Sequence, residues 1–168
     1  MPRSFDMATE YQGSVEQVHQ ALRDEQYWLA RLADSGADHA SLDSLQLTSD
    51  GGVDVATTQV LRVDRLPAVV TQFHHGDLEI RRVENWTAVV DGTADATVSG
   101  TIPGAPVALT GEARLTAADL QAHLTFRATV EVRIPLVGGK VENFIGQQLV
   151  DLLIAEQQFT TRWIAENG

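Results

Sequence analysis

The first part of the chain alternates between apolar and polar residues and then changes to helical spacing. Residues 4–11 place Phe, Met, Thr and Tyr on one face, which predicts a strand with one buried side. Gly13 ends this pattern, and Ser14 with Gln17 has the form of a helix capping box. A second short helix is predicted over residues 24–34. The chain therefore starts with one strand and two short helices.

The middle of the chain, residues 41–133, has a hydrophobic period close to two. Each predicted strand has one apolar face and one polar face, which is typical of an antiparallel sheet packed on one side only. The turn sequences that separate the strands include Gly51-Gly52, Asp91-Gly92 and Pro103-Gly104. This pattern predicts about six antiparallel strands after the two helices.

The end of the chain has the spacing of one long helix. Pro135 ends the last strand, Gly138-Gly139 turns the chain, and helical spacing of about 25 residues then continues to Ala165. Such a helix spans about 37 Å and is the only predicted element large enough to cover the apolar face of the sheet. Its predicted apolar stripe consists of Val141, Ile145, Leu149, Leu152, Phe159 and Trp163.

This order of elements, together with three short motifs, resembles a known superfamily. The motifs are Leu66-Pro67, Glu84-Asn85-Trp86 and the run from Ile134 to Glu142. The order resembles the START-like helix-grip superfamily (SRPBCC), which includes lipid-transfer domains, plant pollen-allergen proteins and polyketide cyclases. The motifs resemble, more narrowly, an actinobacterial family with a domain of unknown function.

The resemblance carries expectations about fold and ligand. It implies one α+β helix-grip domain over residues 1–168, with a curved antiparallel sheet of about seven strands around the C-terminal helix. It also implies a cavity for a hydrophobic ligand between the sheet and that helix. Because the residues that line such cavities vary within the superfamily, the resemblance assigns no ligand-binding set.

Composition and charge exclude some kinds of site and argue against some classes of binding partner. A chain of 168 residues without cysteine is long enough for one core and excludes disulfides and thiolate sites. The absence of cysteine fits a cytoplasmic location, and neither a signal peptide nor a membrane-spanning stretch is predicted. A formal charge of −11 argues against nucleic-acid binding and against permanent association with an anionic membrane.

Charged residues at apolar positions are the main candidates for a site. Glu156 falls on the apolar stripe of the long helix, where it is either a polar group at a cavity wall, a structural ion pair, or solvent-exposed on a rotated helix. Arg82 and Glu84 share the face of Ile80 and Trp86, unless a bulge near Gly76 reverses the strand. If the register holds, Arg82 is expected near Glu84 or Glu156.

The candidate cavity residues combine these charged groups with polar and aromatic residues on the predicted inner faces. They are Glu156, Arg82, Glu84, Trp86, Gln148, Gln59, Phe126, Leu152, Phe159 and Trp28. Small residues along the same strand faces favour an open space, although close helix packing would also use them.

No catalytic constellation, metal site or cofactor is predicted. His74 and His75 are adjacent and would point to opposite faces of a strand, so they do not share a metal. Lys140 after two glycines lacks the spacing of a phosphate-binding loop. The leading hypothesis is a carrier or sensor of a lipid, polyketide or isoprenoid-like molecule. The alternatives are a cyclase, aromatase or hydrolase in the same cavity, with Glu156 or a histidine as acid–base group, and a protein-interaction module without a ligand.

Overall fold

One antiparallel sheet dominates the part of the chain that the computed structural model describes, residues 2–72 and 74–167. In chain order its strands are β1 (Arg3–Tyr11), β2 (His39–Leu47), β3 (Val53–Leu61), β4 (Leu78–Trp86), β5 (Thr93–Thr101), β6 (Val107–Ala118) and β7 (Gln121–Val132). The order across the sheet is β1-β7-β6-β5-β4-β3-β2. Strands β2 to β7 thus form a meander, and β1 pairs with β7.

The helices lie between β1 and β2, between β3 and β4, and at the end of the chain. They are α1 (Val15–Leu22), α2 (Glu25–Asp34), α3 (Ala68–Thr71) and α4 (Gly138–Asn167). The predicted capping box is present at α1. The backbone N–H of Gln17 donates to Ser14 Oγ over 3.1 Å, and the backbone N–H of Ser14 donates to Gln17 Oε1 over 2.9 Å. The predicted α+β helix-grip order is confirmed.

Two features of the helices differ from the prediction. Helix α4 has 30 residues rather than about 25, because it begins at Gly138 and continues to Asn167. The short helix α3, which the periodicity does not predict, follows Pro67. The fixed φ of proline suits the start of a helix, so a four-residue turn forms without an apolar repeat.

The face that α4 buries also differs from the predicted stripe. Its buried positions include Glu142, Gly146, Thr160 and Ile164, whereas Leu152 is only partly buried. The reason is a close approach between α4 and β1: a Cβ at Gly146 would overlap the Phe5 ring, so only glycine lets the two elements pack at this distance. The helix is therefore rotated relative to the stripe read from the sequence.

The register of β4 places its charged residues on the inner face of the sheet. The ladder between β3 and β4 runs without interruption from Leu78 to Trp86 and pairs Thr57 with Arg82. The bulge lies in β2 instead, at the register shift between Leu42 and Ser44. Side chains alternate along a strand, so Arg82 shares the concave face with Trp86.

Helix α4 covers only part of that concave face. It contacts β1 and β7 of the sheet and also α1 and α2. The apolar core lies under these contacts, with Val15, Tyr27 and Trp28 among its fully buried side chains. The concave faces of β3, β4 and β5 are left open toward α4. None of the helices in the described residues combines the length and hydropathy needed to cross a bilayer.

Candidate functional site

A pocket of about 510 Å³ lies between the concave face of the sheet and α4. Apolar side chains from the sheet form most of its wall, and α1 and α2 close one end. Its apolar lining includes Met7, Leu61, Ile80, Val98, Leu109, Leu115 and Leu124. The volume is within the usual range for small-molecule pockets of about 300–1,000 Å³.

Most of the candidate residues chosen from the sequence line this pocket, namely Gln59, Arg82, Glu84, Trp86, Phe126, Gln148, Leu152 and Glu156. Trp28 and Phe159 do not; they line a recess of about 70 Å³ on the other side of the charged residues. Trp28 is fully buried, and its Nε1 donates to the Leu22 carbonyl over 2.8 Å. It belongs to the core behind the site because α2 packs inward against the sheet and α4.

A cluster of charged residues forms the polar end of the pocket. Arg82 donates to both carboxylate oxygens of Glu156, over 2.8 and 2.9 Å, and its Nη2 lies 3.0 Å from Glu84 Oε2. Arg31 on α2 lies 2.5 Å from the same Glu156 carboxylate. Trp86 Nε1 donates to Glu84 Oε1 over 3.1 Å. Three elements, α2, β4 and α4, are therefore joined through Glu156.

A second chain of hydrogen bonds holds Arg31 in place. Its Nη1 donates to the Tyr27 hydroxyl over 3.3 Å, and that hydroxyl lies 2.6 Å from Thr160 Oγ1. Thr160 in turn donates to the Glu156 carbonyl over 2.8 Å. The Arg31 guanidinium also lies 4.5 Å above the Trp28 ring, in the range of a cation–π contact. The cluster is thus a rigid network rather than a pair of flexible surface charges.

The charges of the cluster balance one another. Burial alone would raise the pKa of Glu156, but the charges and hydrogen bonds of Arg31 and Arg82 outweigh it and lower the pKa from 4.5 to about 2. Burial likewise opposes the charged form of both arginines, but the facing carboxylates, Glu156 above all, raise their pKa values well above the ordinary range. Glu156 is therefore an ionised hydrogen-bond acceptor near neutral pH.

Tyr11 contributes an uncharged polar group to the pocket, as Gln59 does. Its side chain is 7% exposed and lines the pocket, and among the described residues no side-chain hydrogen bond engages its hydroxyl. Burial, followed by the neighbouring Tyr27, raises the pKa of Tyr11 far above its ordinary value of 10. Its hydroxyl stays protonated and is free to hydrogen-bond a group in the pocket.

This burial predicts a titration result. The chain has two tyrosines, so the difference in alkaline ultraviolet absorbance between wild type and Tyr11→Phe isolates the Tyr11 phenol. We expect no tyrosinate signal from Tyr11 up to about pH 11, because its phenolate would be buried beside two carboxylates. The signal should appear only when alkali unfolds the chain. A difference signal with a midpoint near 10 would contradict the buried position of the hydroxyl.

A second concave region, a trough of about 770 Å³, lies on the outer face of the sheet. Exposed ion pairs line it, such as Arg127 with Asp6 at 2.9 Å and Arg114 with Asp95 at 2.8 Å. Water solvates such charges well, so covering them with an apolar molecule would be unfavourable. The trough is therefore a poorer candidate for an apolar ligand than the inner pocket.

The histidines lie away from the inner pocket. None of the five lines it, and all belong to the described residues. His19 Nε2 lies 2.8 Å from the Thr87 carbonyl, His74 Nε2 lies 2.9 Å from the Asp77 carbonyl, and His123 faces Glu10 at 3.6 Å. In the described part of the chain, no group of three or more His, Asp or Glu side chains is arranged to hold a metal ion.

Sequence reasoning missed three members of the cluster and its hydrogen-bond chain, namely Arg31, Tyr27 and Thr160. Arg31 and Tyr27 sit on a short helix where arginine is ordinarily taken as solvent-exposed, and Thr160 was not distinguished from its neighbours. The sequence did contain an indication that Arg31 faces inward, because Arg31 follows Trp28 by three positions and so shares its helix face. Tyr11 lay on the apolar face of the first predicted strand, but no pattern marked its hydroxyl as a polar group in a pocket.

Comparisons with known proteins agree with this architecture. The model of a family described as "Protein of unknown function (DUF2505)" matches residues 6–164. An uncharacterized protein of Mycobacterium tuberculosis is 46% identical over 173 aligned positions, covering 99% of each chain. A Thermus thermophilus crystal structure is similar with a TM-score of 0.60 at 12% identity, covering 99% of this chain and 100% of the other. The aromatase/cyclase Zhui from a Streptomyces species has a TM-score of 0.59 at 10% identity, covering 98% and 94%.

Proposed function

Because the chain belongs to the family of proteins of unknown function (DUF2505) and has the helix-grip fold of the START-like superfamily, we propose that it binds an apolar small molecule in the pocket beneath α4. The proposal treats residues 1–168 as a single domain that holds or carries its ligand. It places the protein in the cytoplasm, the compartment that fits a chain without cysteine.

One observation carries the proposal: the inner pocket has mostly apolar walls, and its cluster of partly buried charges lies together, whereas Arg65 and Asp151 line it from exposed positions. Such a shape favours a molecule with an apolar body, because moving apolar surface out of water is favourable at about 25 cal/mol per Å². Polar groups concentrated at one end set the orientation of that molecule. Gly100 and Ala113 on the pocket wall keep the space open, since neither has a side chain long enough to fill it.

An enzyme working in the same pocket is the alternative, since one structural neighbour is described as an aromatase/cyclase. The geometry favours it less. A carboxylate whose pKa is about 2 is a weak base and is not an acid near neutral pH. The described histidines lie outside the pocket, so they do not replace Glu156 in that role.

Two measurements test the proposal on the purified full-length chain. Mass spectrometry of an organic extract should detect a co-purifying apolar molecule at up to one per chain. After the chain is stripped of lipid, the neutral apolar dye Nile red should bind with one saturable site and increased fluorescence.

A clean extract together with no saturable dye binding by a natively folded chain would contradict the proposal. That result would instead favour a protein-interaction module without a ligand. Circular dichroism of the same sample shows whether the stripped chain remains folded, so a failed preparation is distinguished from a chain without a binding site.

A further inference from the structure

We infer that the molecule in this pocket carries a neutral hydroxyl or carbonyl group, hydrogen-bonded to the Tyr11 hydroxyl at the charged end, and not a carboxylate or an ammonium ion. The inference rests on the proposed function and specifies the chemical class of its ligand. It follows from the charge balance of the cluster, from the free hydroxyl of Tyr11 and from the net charge of the chain.

The first argument is the charge balance at the polar end. Two guanidinium groups, those of Arg31 and Arg82, face two carboxylates, those of Glu84 and Glu156, at distances between 2.5 and 3.0 Å. Each positive charge therefore already has a negative partner. An added carboxylate would leave one uncompensated negative charge in a partly desolvated pocket, and an ammonium would leave one positive charge. A neutral oxygen adds no charge.

The second argument is the hydrogen-bonding capacity that remains. Both oxygens of Glu156 accept from arginine, and both oxygens of Glu84 already have partners in Arg82 and Trp86. Among the described polar side chains that line the pocket and form no hydrogen bond, Tyr11 is the most buried, whereas Gln59 is partly buried and Gln148 is exposed. Tyr11 lines the same pocket as Arg31, Glu84 and Glu156 and interacts with their charges. A hydroxyl or carbonyl oxygen of the ligand would satisfy it.

The third argument comes from the whole chain. A formal charge of −11 produces a negative potential that lowers the local concentration of anions such as fatty-acid carboxylates. The same potential attracts cations, but in the pocket a cation would add an uncompensated positive charge to a cluster whose own charges already balance. Neutral molecules avoid both penalties.

Four decyl compounds with one chain length and different polar groups test the inference. Lipid-free chain saturated with Nile red is titrated at neutral pH with 1-decanol, 2-decanone, decanoate and decylammonium. We expect the two neutral compounds to displace the dye at concentrations at least tenfold below those of the two ions. The Nile red affinity of the Tyr11→Phe variant is measured first and used to analyse its competition curves. The variant should bind the preferred neutral compound about fivefold more weakly than wild type does.

The outcomes separate the two proposals. If the ions displace the dye as well as the neutral compounds do, the neutral class is wrong and the apolar site remains. If the neutral compounds are preferred but Tyr11→Phe changes nothing, Tyr11 does not hold the ligand and the inference is overturned. If neither the dye nor any decyl compound binds, the proposed function fails together with the inference. Because the Tyr11 hydroxyl has no side-chain partner among the described residues, we expect Tyr11→Phe to fold normally.

Discussion

Replacing Glu156 by glutamine will lower the free energy of unfolding by about 3 kcal/mol at pH 7, because two partly buried guanidinium groups lose their shared partner. Glutamine keeps the shape of the side chain, so little of this loss comes from packing. Glu84 remains as the counter-charge of Arg82, but Arg31 loses its ion pair and keeps the hydrogen bond to the Tyr27 hydroxyl and the contact with the Trp28 ring. Breaking a buried ion pair from one side is costly because the other charge stays desolvated.

The pH dependence of this loss has a defined sign. The pKa of Glu156 is lowered on folding, from 4.5 to about 2, so its stabilisation is fully present above 4.5 and is lost as the pH falls toward 2. A shift of that size corresponds to about 3 kcal/mol. The stability difference between wild type and Glu156→Gln should therefore shrink steadily between about pH 4.5 and pH 2.

Urea denaturation at a series of pH values measures both effects. Glu166→Gln is the matched control, since Glu166 is an exposed carboxylate on the same helix. The control should stay within about 0.5 kcal/mol of wild type at every pH. If Glu156→Gln is as stable as the control at pH 7, the cluster does not stabilise the fold and the interpretation of Glu156 as a buried ion-pair centre is wrong.

A second large effect is expected from filling the pocket. Gly100 lies on the inner face of β5 opposite Arg82, and a Cβ added there would meet Leu109 at an ordinary contact distance of 3.5 Å. Gly100→Phe would thus place a ring in the pocket without a backbone clash. We expect Nile red affinity to fall by at least about 20-fold, because the ring occupies the space that the dye requires. Stability should change by less than about 1 kcal/mol, since glycine is itself unfavourable inside a strand.

Ser99→Phe is the matched control for this substitution. Ser99 is the neighbouring residue on the same strand, but its side chain is exposed on the opposite face of the sheet. The control adds the same ring outside the pocket and should leave dye affinity unchanged. If both variants bind Nile red as wild type does, the dye binds elsewhere and the inner pocket is not its site.

The architecture of this protein was largely predictable from its sequence. The strand, two helices, meander and terminal helix followed from local periodicity and turn residues, and the structure confirms that order. The family comparison confirms a family of unknown function, as the motifs predict, and the structural comparisons agree with the helix-grip fold. The errors lie where local patterns carry little information, at the bounds of α4 and in α3.

The candidate site was predictable only in part. Glu156, Arg82 and Glu84 could be selected from the sequence because each is a charged residue on an otherwise apolar face. Arg31 produced no such anomaly, because an arginine on a short helix ordinarily faces water. Whether Glu156 and its neighbours serve a ligand as well as the fold stays a prediction.

The spacing of apolar and polar residues predicts strands and helices because both kinds of element depend on residues only a few positions apart. It does not encode which charges meet. Arg82 and Glu156 are separated by 74 positions and touch only because the sheet curves under α4. The rotation of α4 depends on the close contact between Gly146 and Phe5, which no helical repeat specifies. The sequence thus established the fold and the presence of charges on inner faces, whereas tertiary packing decided that these charges form one neutral cluster beside the free hydroxyl of Tyr11.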